Sequence, residues 1–176
     1  MLTSVGHGAL DRARLVQLLR AADIEALVDI RRFPNSRHNP DVEMSAITTW
    51  AQEAGLVYRW EPRLGGRRRL PAGSDPEDVW WRVKQFAAYA AYTRTAQFDE
   101  ALAEMVEQSE RQRTAMMCSE AVWWRCHRRI VADVAVLKFS VQVRHLMHDG
   151  RLVPHTPSEG ARLRPDGQIG WDAGSD

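Results

Sequence analysis

The sequence predicts an α/β fold, a three-layer α/β/α sandwich around a mostly parallel sheet of about five strands. Two observations carry this. A strand, a helix and a second strand fit into the first thirty or so residues, a spacing that suits a parallel crossover. The strand segments are also nearly continuous apolar runs, as expected where helices cover both faces of a sheet.

Leu2 to Val5 is a short apolar strand ending in Gly6-His7-Gly8, which delivers His7 to a loop. Asp11 is placed to cap the next helix, whose buried stripe is Leu15, Val16, Leu18, Leu19 and Ala22. Ile24 to Ile30 is the second strand. After it comes a polar loop from Arg31 to Pro40, at the same sheet edge as His7. A helix from about Pro40 to Ala54 carries Met44, Ile47, Trp50 and Ala51 on one face and stops at Gly55. Leu56 to Trp60 is the third strand, and its exit holds Gly65, Gly66 and the run Arg67-Arg68-Arg69.

Residues 71–76 read as a surface loop. Asp75 followed by Pro76 is a helix-start signal, and the helix drawn from it to Tyr92 includes Trp80, Trp81, Phe86 and Tyr89. A further helix from Ala96 to Arg111 leads to the strand Thr114 to Cys118. The apolar positions Ile130, Val131, Val134, Ala135 and Leu137 give a helix over Cys126 to Lys138. Val141 to Met147 is the last strand expected. Residues 1–153 therefore read as a single α/β domain and residues 154–176 as a partly irregular C-terminal extension.

Lys+Arg total 24 against 23 Asp+Glu, and the pI near 7.9 lies below the usual footprint of a nucleic-acid-binding domain. Lys84 and Lys138 are the only lysines, so the positive charge is almost wholly arginine. No segment reaches the length of a membrane span, and two cysteines are too few for a secreted disulfide framework. A cytoplasmic location with free thiols is expected.

Chemistry-bearing residues concentrate between Met116 and Arg129, which contain both cysteines, Glu120, His127 and three arginines. This stretch joins a strand's carboxyl end to a helix, the usual ligand position in open α/β sheets. Cys118 would lie near Arg125, Arg128 and Arg129, which favour thiolate, and Cys126 would sit in the first turn of the helix. The layout is like the loops of rhodaneses and cysteine phosphatases. However, the six residues between Cys118 and Arg125 are one too many for the phosphatase loop, and Glu120 would repel a phosphate.

A metal site built from Cys118, Cys126, His127 and His7 matches no recognised zinc spacing, so no metal and no cofactor are expected. The pairs Trp80-Trp81 and Trp123-Trp124 suggest base stacking, with one member of each in the core. An ion-pair network pinning loops together accounts equally well for Glu120, Arg31, Arg32 and the histidines.

The chain resembles the bacterial family catalogued as domain of unknown function 488. The resemblance rests on SVGHG, VDIRRFPNSRHNP, EAGLVYRWEPRLGGRR, FAAYAAYTRTAQF, MMCSEAVWWRCHRR and VRHLMHDGRLVPH, and spans Val5 to about His155. It implies an α/β sandwich with these motifs gathered. The motif positions are His7, Asp29, Arg31, Pro34, Ser36, Asn39, Gly65, Gly66, Cys118, Glu120, Cys126, His127, Arg128, His145 and His155. The family supplies no reaction.

Taken together, the expectation is an enzyme acting on an anionic small molecule or a nucleic acid, with no membrane partner. Cys118, Glu120, Cys126, His127 and His7 are the catalytic candidates. Arg31, Arg32, Ser36, Asn39, Gly65, Gly66, Arg67, Arg128, His145 and His155 are the binding candidates. Two alternatives stand beside it: a non-catalytic nucleic-acid-binding or adaptor module, and a thiol redox sensor.

Overall fold

A computed structural model describes residues 1–36, 38–70, 72–73 and 77–172. Its elements in chain order are β1 (Leu2–Gly6), α1 (Arg12–Ala21), β2 (Ala26–Asp29), α2 (Met44–Glu53), β3 (Val57–Trp60), α3 (Lys84–Tyr92), α4 (Ala96–Arg111), β4 (Thr114–Cys118), α5 (Arg128–Leu137), β5 (Val143–Leu146), β6 (Leu152–Pro154), β7 (Ala161–Leu163) and β8 (Ile169–Trp171). Single 3₁₀ turns lie at Pro40–Val42, Pro62–Leu64 and Trp123–Arg125.

The main sheet has six strands in the order β3-β2-β4-β1-β5-β6. The pairings from β3 through β5 are parallel, and β6 adds an antiparallel edge. This is the expected α/β/α sandwich with one more strand than anticipated. The burial pattern shows why the layers form. Alternate residues of β4 divide between two cores: Met116 and Cys118 join one with α3, α4 and α5, and Ala115 and Met117 join the other with α1 and α2.

Strands β1 and β4 are neighbours, in a register that pairs Gly6 with Cys118. The chain leaves β1 into α1 on one face and leaves β4 into α5 on the opposite face. That divergence opens a crevice beyond the strands' carboxyl ends. Backbone bonds from His7 to the Cys118 carbonyl (3.0 Å) and from Gly8 to the Ser119 carbonyl (2.9 Å) extend the pairing past the strand ends and fix the two exit loops together.

Several element boundaries differ from the sequence expectations. Asp11 caps α1 by accepting from the Arg14 amide (2.8 Å), as its position indicated. In the second helix, by contrast, Glu43 is extended (ψ 146°), so a 3₁₀ turn at Pro40 is followed by a separate start at Met44. The third helix begins at Lys84, and Asp75 and Pro76 lie outside the described residues. Trp80 and Trp81 belong to an irregular strap. The strap is pinned because Asp78 takes bonds from Arg94 (2.9 and 3.0 Å) and the Trp171 amide (3.2 Å), while the Trp80 amide bonds the Trp171 carbonyl (3.0 Å).

The fifth helix starts at Arg128 because Cys126 is extended (φ −121°, ψ 151°). Beyond residue 154, the β7–β8 hairpin buries Ile169 and Trp171 against α5. No helix of the described residues is long and apolar enough to cross a membrane.

Candidate functional site

Cys118 ends β4, Cys126 follows the 3₁₀ turn after it, and His127 directly precedes α5. The extended backbone at Cys126 is what lets all three side chains converge. The Nδ1 atom of His127 lies 3.8 Å from Cys118 Sγ and 3.7 Å from Cys126 Sγ, and the three donor atoms are all within 4.8 Å of one another. Both thiols are free and buried.

Beneath them Arg128, 1 % exposed, spreads its guanidinium in three directions. Nε donates to Cys126 Sγ (3.5 Å), one Nη to Ser4 Oγ (3.1 Å) and the other to the Glu120 carbonyl. A planar fork with five N–H groups can hold three such acceptors at once. Gly6 leaves the room: a Cβ there would lie 1.9 Å from the Glu120 carbonyl oxygen.

The two sulfurs are electrostatically unequal. Burial alone would raise Cys126, but a hydrogen bond from Cys118, together with His127 and Arg128, holds it well below the ordinary thiol range. Cys118 is pushed well up, first by that hydrogen bond and then by burial.

This cluster forms the floor of a cleft of about 470 Å³. Tyr89 and Phe86 of α3 form a wall, and the Tyr89 ring meets the His127 imidazole edge-on at 4.9 Å. Arg32, Arg67, Arg125 and Glu120 stand around it. Arg67, in the left-handed region (φ 59°), accepts from Arg32 Nη1 at its carbonyl (2.9 Å). Among the described residues no carboxylate pairs with Arg32, Arg67 or Arg125. Gly66 backs the imidazole, where a Cβ would lie 2.9 Å from Nδ1.

The candidate residues therefore fall into three groups. Cys118, Glu120, Cys126, His127, Arg32, Gly66 and Arg67 meet at the cleft. Arg31 also reaches it, but its charge is committed to Asp29 through bonds of 2.8 and 2.5 Å, and Asp29 also accepts from Tyr58 (3.0 Å). His7 lies behind it, 3.4 Å from Arg31 Nη1. Burial lowers the His7 pKa. Gly65 packs on the Arg32 backbone.

The remaining candidates are not brought to the cleft. Ser36 accepts from the Asn39 amide (3.0 Å) and Asn39 donates to the Leu10 carbonyl (2.8 Å), which braces the loop before α2. His145 and His155 form a buried chain: His145 Nε2 to His155 Nδ1 (3.0 Å), then His155 Nε2 to Asp133 (2.8 Å). His145 stacks on Trp123 at 3.9 Å, so that tryptophan face is not available to a base. The expected placement of Cys126 in the first helical turn also changes, since the residue precedes the helix.

Asp133 and Tyr89 were not among the site residues expected from sequence. A lone carboxylate inside the apolar stripe of α5 was the available signal for Asp133. Tyr89 had none, because an aromatic helix face ordinarily means core.

The model of the domain of unknown function DUF488 matches residues 11–135. The chain belongs to the DUF488 family. The matched span carries the Arg31 loop, Gly65, Gly66 and the whole Cys118–Arg128 stretch, and leaves His7, His145 and His155 outside it. No curated protein and no solved structure matched this DUF488 chain in the same comparisons.

Proposed function

We propose that this protein is an enzyme acting on an anionic ligand of nucleotide or nucleic-acid type, held in the cleft above Cys118, Cys126 and His127. The observation that carries the reading is the pairing of a sulfur–imidazole floor with three guanidinium groups unpaired by any described carboxylate. Unpaired arginines beside a concave site favour phosphate or carboxylate, which they bind through charge-assisted, often bidentate bonds. Arg32, Arg67 and Arg125 take the anion. Cys126 supplies the thiolate, and Glu120 at the rim handles protons. Two free thiols fit a reducing, cytoplasmic compartment.

A basic groove lined by Arg68, Arg69 and Lys84 shares Arg32 and Arg67 with the cleft. That continuity favours a ligand with more than one phosphate. It also supports the second reading, a non-catalytic nucleic-acid-binding module.

Fluorescence anisotropy with labelled mononucleotides and short single strands tests binding, and mass spectrometry of the incubated nucleotides tests turnover. Arg67→Ala and Arg125→Ala should each weaken binding roughly tenfold, the value of one bond of about 1.4 kcal/mol. Cys126→Ala should abolish turnover while binding persists. Unchanged affinity in both arginine variants would remove the cleft from consideration. Binding that is steeply salt-dependent but never accompanied by turnover would favour the non-catalytic module.

A further inference from the structure

We infer that Cys118, Cys126 and His127 form a three-ligand site for a zinc-class transition metal ion, bound through two sulfurs and Nδ1, with its fourth position open to the cleft. The distances on the page support this. With metal–sulfur bonds of about 2.3 Å and a metal–nitrogen bond of about 2.05 Å, a tetrahedral S···N edge is about 3.6 Å and an S···S edge about 3.8 Å. The two S···N distances, 3.8 and 3.7 Å, are close to that edge, and all three atoms fit within 4.8 Å.

A second observation concerns His127 itself. Its Nε2 is buried with no hydrogen-bond partner among the described residues, and Nδ1 faces only two long sulfur contacts. A half-buried imidazole whose inward nitrogen is so poorly satisfied is uncommon in native structures. A metal at Nδ1 would give that nitrogen a short, strong partner in place of the two long sulfur contacts and would fix the ring proton on Nε2.

The donor set chooses the ion. Two thiolates and an imidazole suit zinc and its borderline neighbours, and they do not suit magnesium or calcium, which take oxygen. Two thiolates neutralise a dication, and Arg128 beneath Cys126 leaves the assembly net positive, suited to an anionic fourth ligand. Gly66 keeps clear the space beside Nδ1 that a Cβ would occupy. Three protein ligands and one open position describe a catalytic zinc site rather than a closed structural one. Cysteine-to-cysteine spacing outside known zinc patterns hid the site, because β4 and the extended Cys126 create the proximity. The ion's role, polarising an anion that the arginines hold, rests on the function proposed above. The existence of the site does not.

The test uses the whole chain, stripped with chelator and titrated with cobalt(II), then with zinc. The expected result is one equivalent per chain. It should show the d–d bands of tetrahedral cobalt and a thiolate charge-transfer band, both erased by zinc. Cys118→Ser, Cys126→Ser and His127→Gln should each weaken cobalt binding by about a hundredfold or more.

On the unmodified chain, one equivalent of zinc should protect both cysteines from iodoacetamide, read by peptide mass spectrometry. This keeps the test independent of variant folding. Octahedral cobalt spectra, or cysteines that alkylate at the same rate with zinc present, would overturn the site. Nucleotide binding by the zinc-loaded chain is measured separately. If it fails while cobalt binds as expected, only the anionic-ligand reading falls.

Discussion

Arg128 Nε donates to the Cys126 sulfur at 3.5 Å from the first residue of α5, while Ser4 on β1 and the Glu120 carbonyl hold its other nitrogens. One buried guanidinium thus connects the central strand, the exit loop of β4 and the Cys126 sulfur. Lysine offers a single point of charge and cannot reach three diverging acceptors. Arg128→Lys should therefore lower stability by about 2–4 kcal/mol, through partners left unsatisfied in the interior. Urea unfolding monitored by tryptophan fluorescence would show it as a lower midpoint at unchanged slope. A midpoint equal to that of the unmodified protein would mean that Arg128 does not brace the loop.

Two glycines near the cleft predict opposite phenotypes. At Gly6 a Cβ would meet the Glu120 carbonyl oxygen at 1.9 Å and its carbon at 2.8 Å, and backbone cannot swing away as a side chain can. Gly6→Ala should cost about 2–4 kcal/mol of stability. At Gly66 the neighbour is the His127 ring, 2.9 Å from the added carbon. Gly66→Ala should shift that ring at little cost in stability and change the iodoacetamide reactivity of Cys126. Thermal melts and alkylation rates on both variants separate the two effects. Equal melting temperatures would contradict the first claim, and unchanged alkylation the second.

Acid sensitivity should be traceable to His145. Burial, then His155 and Arg128, lower its pKa to about 3 from an ordinary 6.5. Between those values the unfolded chain binds a proton that the folded chain refuses. Stability contributed by neutral His145 is therefore complete above pH 6.5 and is lost as pH falls towards 3. His145→Gln, which keeps a donor for His155, should flatten the melting temperature against pH across that window. A variant whose slope parallels that of the unmodified protein would assign the acid sensitivity to other groups.

The layers of the fold were legible because buried parallel strands such as Ala26–Asp29 and Thr114–Cys118 are short apolar runs followed by amphipathic helices. The β7–β8 hairpin was not. Its strands are three residues each, and Ala161–Leu163 is half exposed, too short and too mixed to show a period. The strap at Trp80-Trp81 was misread for a related reason. Paired tryptophans fit a helix as well as they fit an irregular segment, and what holds them is Asp78, whose partners Arg94 and Trp171 are far along the chain.

At the site, the importance of residues 116–129 could be read from composition, and its contacts could not. Whether Cys118 meets Cys126 depends on the extended backbone at Cys126, two residues before α5. Likewise, the charge of Arg31 appeared available until Asp29, two positions earlier, was seen to hold it.

The donors to Asp133 have a bearing on how the protein is made. Asp133 sits in the middle of α5, and its partners are His155, the Ser158 amide and the Trp171 indole, the last of them 38 positions later. A nascent chain emerging from the ribosome would present α5 with a bare interior carboxylate until those residues arrived. The helix that carries Arg128 and follows His127 is therefore fastened from behind by a segment synthesised well after it. A chain that ended before Trp171 would leave Asp133 without its indole donor, in the middle of the helix that begins beside the cleft.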